Sequence, residues 1–112
     1  MAKGVTTMLM TALLICGAVL VTGCSGGARD SGRSGKELFL TYCSGCHPNG
    51  GNALFPGKTL DRMTLAANGI TAPRGIVAKM RHPDPGMKVF DRRTISDADA
   101  LKVAEYVLAT FR

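Results

Sequence analysis

The chain has 112 residues, with 14 Lys and Arg against 8 Asp and Glu, a formal charge of +6, and only 5% aromatic residues. That length holds one small domain. The basic residues are scattered and no basic run is interleaved with stacking rings, which argues against nucleic acid as a partner.

The chain opens on a targeting pattern. Lys3 supplies a short positive start, and residues 5–21 are mostly apolar and uncharged, a length between a signal core and a membrane span. Val21-Thr22-Gly23-Cys24 resembles a bacterial lipobox, with Val where Leu is commoner. The resemblance implies a lipoprotein signal peptide at 1–23 and a diacylglycerol thioether on Cys24, which becomes the first residue after cleavage. Ser25 in the next position resembles proteins sent to the outer membrane. An uncleaved anchor helix and an ordinary secretory signal are the rival readings, and all three put the domain on the periplasmic side of a bacterial membrane. Cys16, inside the apolar run, reads as a passive small hydrophobe lost with the leader. Residues 24–34 then read as the acylated cysteine and a flexible tether, since Gly and Ser dominate and nothing there can pack. The ten residues after Cys24 would reach about 16–19 Å.

Residues 35–112 form the domain. Ser34 with Glu37 three positions on is a capping-box pattern, and the helix it starts carries Leu38, Phe39 and Tyr42 towards two cysteines. These belong to Cys43-Ser44-Gly45-Cys46-His47, the attachment pattern of a c-type haem. Residues three apart share a helical face, so both thiols can reach the vinyl groups on one edge of a porphyrin. His47 then lies under the iron as the proximal ligand, and Pro48 helps end the helix. A zinc ribbon would need a second ligand pair, a thioredoxin-like redox pair would need a βαβ pattern, and a bare disulfide leaves His47 unexplained. A covalent haem also supplies the staple that so short a domain needs.

A glycine-rich loop, Pro48 to Asn52, follows. Thr59 is the expected cap of a second helix over Leu60 to Ala67, stopped by Asn68-Gly69. Thr71 is the expected cap of a third, with Pro73 in its first turn and His82 near its end. The last helix starts at Ser96, with Asp97 and Asp99 placed to suit its dipole. Ala100, Leu101, Val103, Ala104, Val107, Leu108 and Phe111 make its apolar face, with Lys102, Glu105, Ala109 and Arg112 opposite. No stretch alternates with period two, so the class is all-α, three to five short helices wrapped around one haem.

The second axial ligand could be Met63, Met80, Met87 or His82. Met63 and Met80 fall inside helical patterns, where methionine usually fills core. Met87 follows the irregular Pro83-Asp84-Pro85-Gly86, which could carry its sulfur to the iron.

From Gly35 to Arg112 the chain resembles a class I cytochrome c, closest to the monohaem c6/c553 group of electron carriers. The matching pieces are Gly35 with Leu38-Phe39, the Cys43 to His47 motif, Asn49-Gly50-Gly51-Asn52, Lys58-Thr59-Leu60, Met87 with Phe90, and Glu105-Tyr106-Val107-Leu108. The resemblance implies that the first and last helices cross closely, with Gly35 and Phe39 against Tyr106, and that Met87 is the distal ligand. Lys88 stands where the family often has proline. Taken with the lipobox, it implies a membrane-tethered carrier of single electrons, a monomer that works with redox partner proteins and not as an enzyme. The alternative is a haem enzyme or gas sensor with an open distal position. Lys88, Arg92 and Arg93, with Lys58, are the expected positive rim for an acidic partner.

Overall fold

A computed structural model of the chain describes residues 29–112. Cys16, Cys24 and the leader lie outside the described residues. Among the described residues four helices run α1 Gly35–Tyr42, α2 Arg62–Ala67, α3 Pro73–Arg81 and α4 Asp97–Thr110, with a 3-10 turn at Pro48–Gly50. The described residues contain no strand, and none of their helices is long and apolar enough to cross a membrane. The all-α expectation holds.

α1 begins as its capping box dictates. The Glu37 amide donates to Ser34 Oγ at 3.2 Å, and the Ser34 amide donates to the Glu37 carboxylate at 2.8 Å. α4 begins on a single N-cap bond, the Asp99 amide donating to Ser96 Oγ at 3.1 Å. The two helices pack together through Leu38, Phe39, Val103 and Val107, all 2% exposed or less. Each such burial is worth about 1.5–3 kcal/mol, so these four side chains dominate the crossing. Gly35 permits it, because a Cβ there would stand 2.2 Å from the Lys102 carbonyl oxygen and 2.9 Å from Tyr106 Cβ. The Phe39 ring lies 5.4 Å from Tyr106 and 5.3 Å from Phe111, centroid to centroid. The expected meeting of Gly35 and Phe39 with Tyr106 is therefore present.

Three details differ from expectation. α2 is capped by Asp61, not Thr59: the Thr64 amide donates to Asp61 Oδ1 at 2.9 Å, while the Thr59 hydroxyl donates to the Asp61 carboxylate and steadies it. α3 starts from Ala72 with no side-chain cap, because Pro73 at its first position fixes φ and removes an amide that would need one. On α4, Leu101 is 41% exposed while Asp99 is buried. Asp99 turns inward because it accepts from the Ser31 amide at 3.2 Å.

That bond belongs to a strap. Lys102 Nζ donates to Asp30 at 2.5 Å and to the Arg33 carbonyl at 3.1 Å. Residues 30–33, inside the stretch read as tether, are thus fastened along α4.

The chain between α3 and α4 is pinned at its base. The Phe90 amide donates to the Met80 carbonyl at 2.9 Å. Arg81, with only 9% of its side chain exposed, donates to the Phe90 carbonyl and to Asp97, both at 2.8 Å. Arg92 meets the other oxygen of Asp97 at 2.8 Å. These two guanidiniums, Arg81 first, hold the Asp97 carboxyl below its ordinary range.

Candidate functional site

α1 ends at Tyr42, and the chain turns so that the amides of Cys46 and His47 both donate to the Cys43 carbonyl, at 3.1 and 2.8 Å. One short turn therefore gathers Cys43, Cys46 and His47. Both thiols are free, Cys43 half-buried and Cys46 exposed. Burial, with a smaller contribution from Cys46, pushes the Cys43 thiol up to about 11.

His47 is oriented by one bond. Its Nδ1 lies 2.8 Å from the Gly51 carbonyl. A carbonyl only accepts, so Nδ1 carries the proton and Nε2 keeps its lone pair. The 3-10 turn beneath it is locked by Gly50, whose φ is +79° and where a Cβ would meet the Phe111 ring at 2.5 Å. Asn52 organises the next loop. Its Oδ1 accepts from the amides of Leu54 and Phe55 at 3.0 and 2.8 Å, and its Nδ2 donates to the Lys58 carbonyl at 3.1 Å.

A cavity of about 280 Å³ opens beside this turn. Cys43, Cys46 and His47 line it, and α2 and α3 contribute Leu65, Ile76 and Met80. The loop before α4 contributes Met87 and Phe90. Phe55 meets Gly86 at the mouth, where a Cβ on Gly86 would stand 2.6 Å from the Phe55 ring. Lys79 holds Asp84 at 2.9 Å and so steadies the approach to Met87.

Two of the four distal candidates reach the cavity, Met80 and Met87. His82 ends α3 on the surface and does not line it. Met63 is 83% exposed, not core filler as expected, since the inward side of six-residue α2 is taken by Leu65. Met80 is 2% exposed, in the core as expected. The expected basic rim divides. Lys58 and Lys88 line the cavity, but Arg92 and Arg93 line a separate groove, because Asp97 draws Arg92 towards the start of α4. The Asp61 cap, the Gly50–Phe111 contact and the Lys79–Asp84 pair escaped the sequence reading. Only the Asp61-x-x-Thr64 spacing carried a signal for any of them.

The family described as "Cytochrome C oxidase, cbb3-type, subunit III" matches residues 30–107. Cytochrome c6 of Bumilleriopsis filiformis is 37% identical over 68% of this chain and 87% of its own length. Cytochrome c6 of Synechocystis is 38% identical over 86% of this chain and 78% of its own. Among solved structures, outer membrane cytochrome F of Geobacter sulfurreducens superposes with a TM-score of 0.69 at 52% identity, covering 70% of this chain and all of that one. The chain belongs to the class I c-type cytochromes, on their c6/c553-like branch.

The cytochrome carries one haem c, bound covalently through Cys43 and Cys46. Its residues fit that group: two free thiols on one turn, a histidine whose Nε2 is left available, and an apolar cavity alongside. With its single attachment motif it is a monohaem cytochrome c electron carrier. Among the described residues no three His, Cys, Asp or Glu side chains gather to hold a separate metal ion.

Proposed function

We propose that this cytochrome is a lipid-anchored one-electron carrier on the periplasmic side of a bacterial membrane, with His47 as proximal and Met87 as distal ligand. The observation that carries the ligand assignment is that His47 and Met87 line one cavity, Met87 from the irregular loop before α4, while Met80, which also reaches it, is 2% exposed and packed in the core of α3. When bound, the haem supplies a one-electron iron couple whose potential is raised by methionine relative to a second histidine.

The chain's own residues do the rest. Cys43 and Cys46 fix the group in place. Gly51 fixes the tautomer and tilt of His47. Leu65, Ile76 and Phe90 exclude water from the cavity. Asp84 is the one carboxylate on its lining and is already paired with Lys79, which supports a carrier over an enzyme needing an acid–base group. Lys58 and Lys88 at the rim offer positive charge to an acidic redox partner. The lipobox supports acylation at Cys24, and the outer-membrane name of a relative at 52% identity supports that membrane over the inner one.

The test is spectroscopic. The oxidised holoprotein should show the weak sulfur-to-iron absorption band and, once reduced, bind carbon monoxide poorly. Met87→Ala should lose the band, bind carbon monoxide readily and fall in potential. A band that survives in Met87→Ala and vanishes in Met80→Ala would move the distal ligand to Met80. Ready carbon monoxide binding by the wild type would favour the sensor or enzyme reading.

A further inference from the structure

A second groove, of about 570 Å³, shares only Tyr42 with the haem cavity. One wall is the N-terminal strap, with Arg29, Ser31 and Arg33. The other is the turn before α4, with Arg92, Arg93 and Thr94, and Asp99 is the one carboxylate on the lining. Asp99 is 5% exposed and committed to the Ser31 amide. Arg93 stands 96% exposed with its nearest carboxylate, Asp91, at 3.8 Å. Arg92 shares Asp97 with Arg81. Arg33 lies over the Tyr42 ring and gives one nitrogen to the Glu37 carbonyl and the Thr41 hydroxyl. Because the strap is tied to α4 through Asp30, Ser31 and Arg33, the groove is held open and not made by a loose tail.

We propose that this groove binds the phosphate of anionic membrane lipid headgroups. Guanidinium forks match phosphate oxygens in pairs, and the Ser31 and Thr94 hydroxyls are further donors on the lining. A lipid, not free phosphate, is the source because of where the groove sits in the chain. Arg29 is five residues from Cys24, a span of at most about 18 Å. This placement rests on acylation of Cys24. Acyl chain and groove together then hold the domain at two points, so it presents its haem cavity at a set angle.

The test uses the mature holoprotein with Cys24→Ala, so that no acyl chain contributes. Its co-sedimentation is measured with vesicles of phosphatidylcholine alone and with added phosphatidylglycerol, at low ionic strength. Binding to the anionic vesicles is expected. Arg29→Gln with Arg93→Gln should weaken it about 30-fold. Arg62→Gln with Arg74→Gln removes the same charge from exposed positions of α2 and α3 and should change it far less. Unchanged haem spectra would show that every variant is folded. No binding to anionic vesicles, an equal loss in both double variants, or binding of inorganic phosphate without vesicles would each overturn the proposal. Fatty-acid labelling of the wild type is read separately, and its failure would overturn the anchor while leaving the vesicle result standing.

Discussion

Gly35→Ala tests the packing that positions α1, and through it the haem-binding turn. The new Cβ would lie 2.2 Å from the Lys102 carbonyl oxygen, where ordinary contact begins near 3.4 Å. The obstacle is backbone, so no rotamer change relieves it and the two helices must part by more than an ångström. Such a gap forfeits a quarter to a half of each contact energy it opens, roughly, along Leu38, Phe39, Val103 and Val107. Overpacking of this kind costs about 1–3 kcal/mol, and a backbone obstacle belongs at the upper end. Against it stands the helix propensity of Ala over Gly, at most about 1 kcal/mol and smaller at a helix start. The clash wins, with a net loss of about 2 kcal/mol. In a domain of this size that lowers Tm by roughly 8–16 °C. Thermal melts of the holoprotein followed by far-UV circular dichroism measure it. Gly57→Ala, where a Cβ meets nothing within 4 Å, should melt close to wild type. A Gly35→Ala protein melting at or above wild type would refute the close crossing.

Acylation predicts that a radioactive fatty acid labels the wild type and not Cys24→Ala, and equal labelling would end that reading. Lys58→Glu with Lys88→Glu should slow electron transfer to the natural partner at low salt, with the difference closing as salt is added, while Arg92→Glu with Arg93→Glu has a smaller effect. Stopped-flow kinetics across ionic strength separate the two pairs, and equal slowing by both would restore a single basic rim. The Asp61 carboxyl is lowered from 3.8 to about 2, chiefly by the Thr59 hydroxyl and then by Thr64. Its folded value lies below its unfolded one, so its contribution to α2 is complete above about pH 4 and fades as pH falls towards 2. The Tm gap between wild type and Asp61→Ala should be constant above pH 4 and narrow below it, and a gap indifferent to pH would refute the charged cap.

The haem-binding turn is legible in the sequence because its chemistry is compressed into five adjacent residues, Cys43 to His47. α1 and α4 are legible for a similar reason, since Ser34–Glu37 and Ser96–Asp99 are contacts over three positions. The reading weakens where partners are distant. Periodicity places Met80 in the core, but does not say that the same side chain also faces the cavity. Lys88, Arg92 and Arg93 look like one cluster along the chain, and only the pull of Asp97 separates them. Asp99 reads only as a first-turn acid that suits the helix dipole until the strap is seen to bring the Ser31 amide to it across 68 residues. Asp30 and Arg33, set among Ser and Gly, likewise read as loose chain, because their anchoring comes from Lys102 and not from the local composition.

Arg81 closes a ring of chain. Its guanidinium and the Met80–Phe90 bond hold the two ends of residues 82–89 together. Between those ends the ties to the rest of the domain are Lys79 to Asp84, Phe55 under Gly86 and the half-buried Met87 side chain against the core. A segment so joined opens as a unit, at lower free energy than the α1–α4 core. Its amide hydrogens should therefore exchange earlier than those of Val103 or Val107. The Met87 amide, donated only across its own turn to Asp84 at 3.3 Å, becomes a clock for that opening. Binding of Met87 sulfur to iron would slow the clock, so exchange at this one amide reads distal ligation without a spectrum.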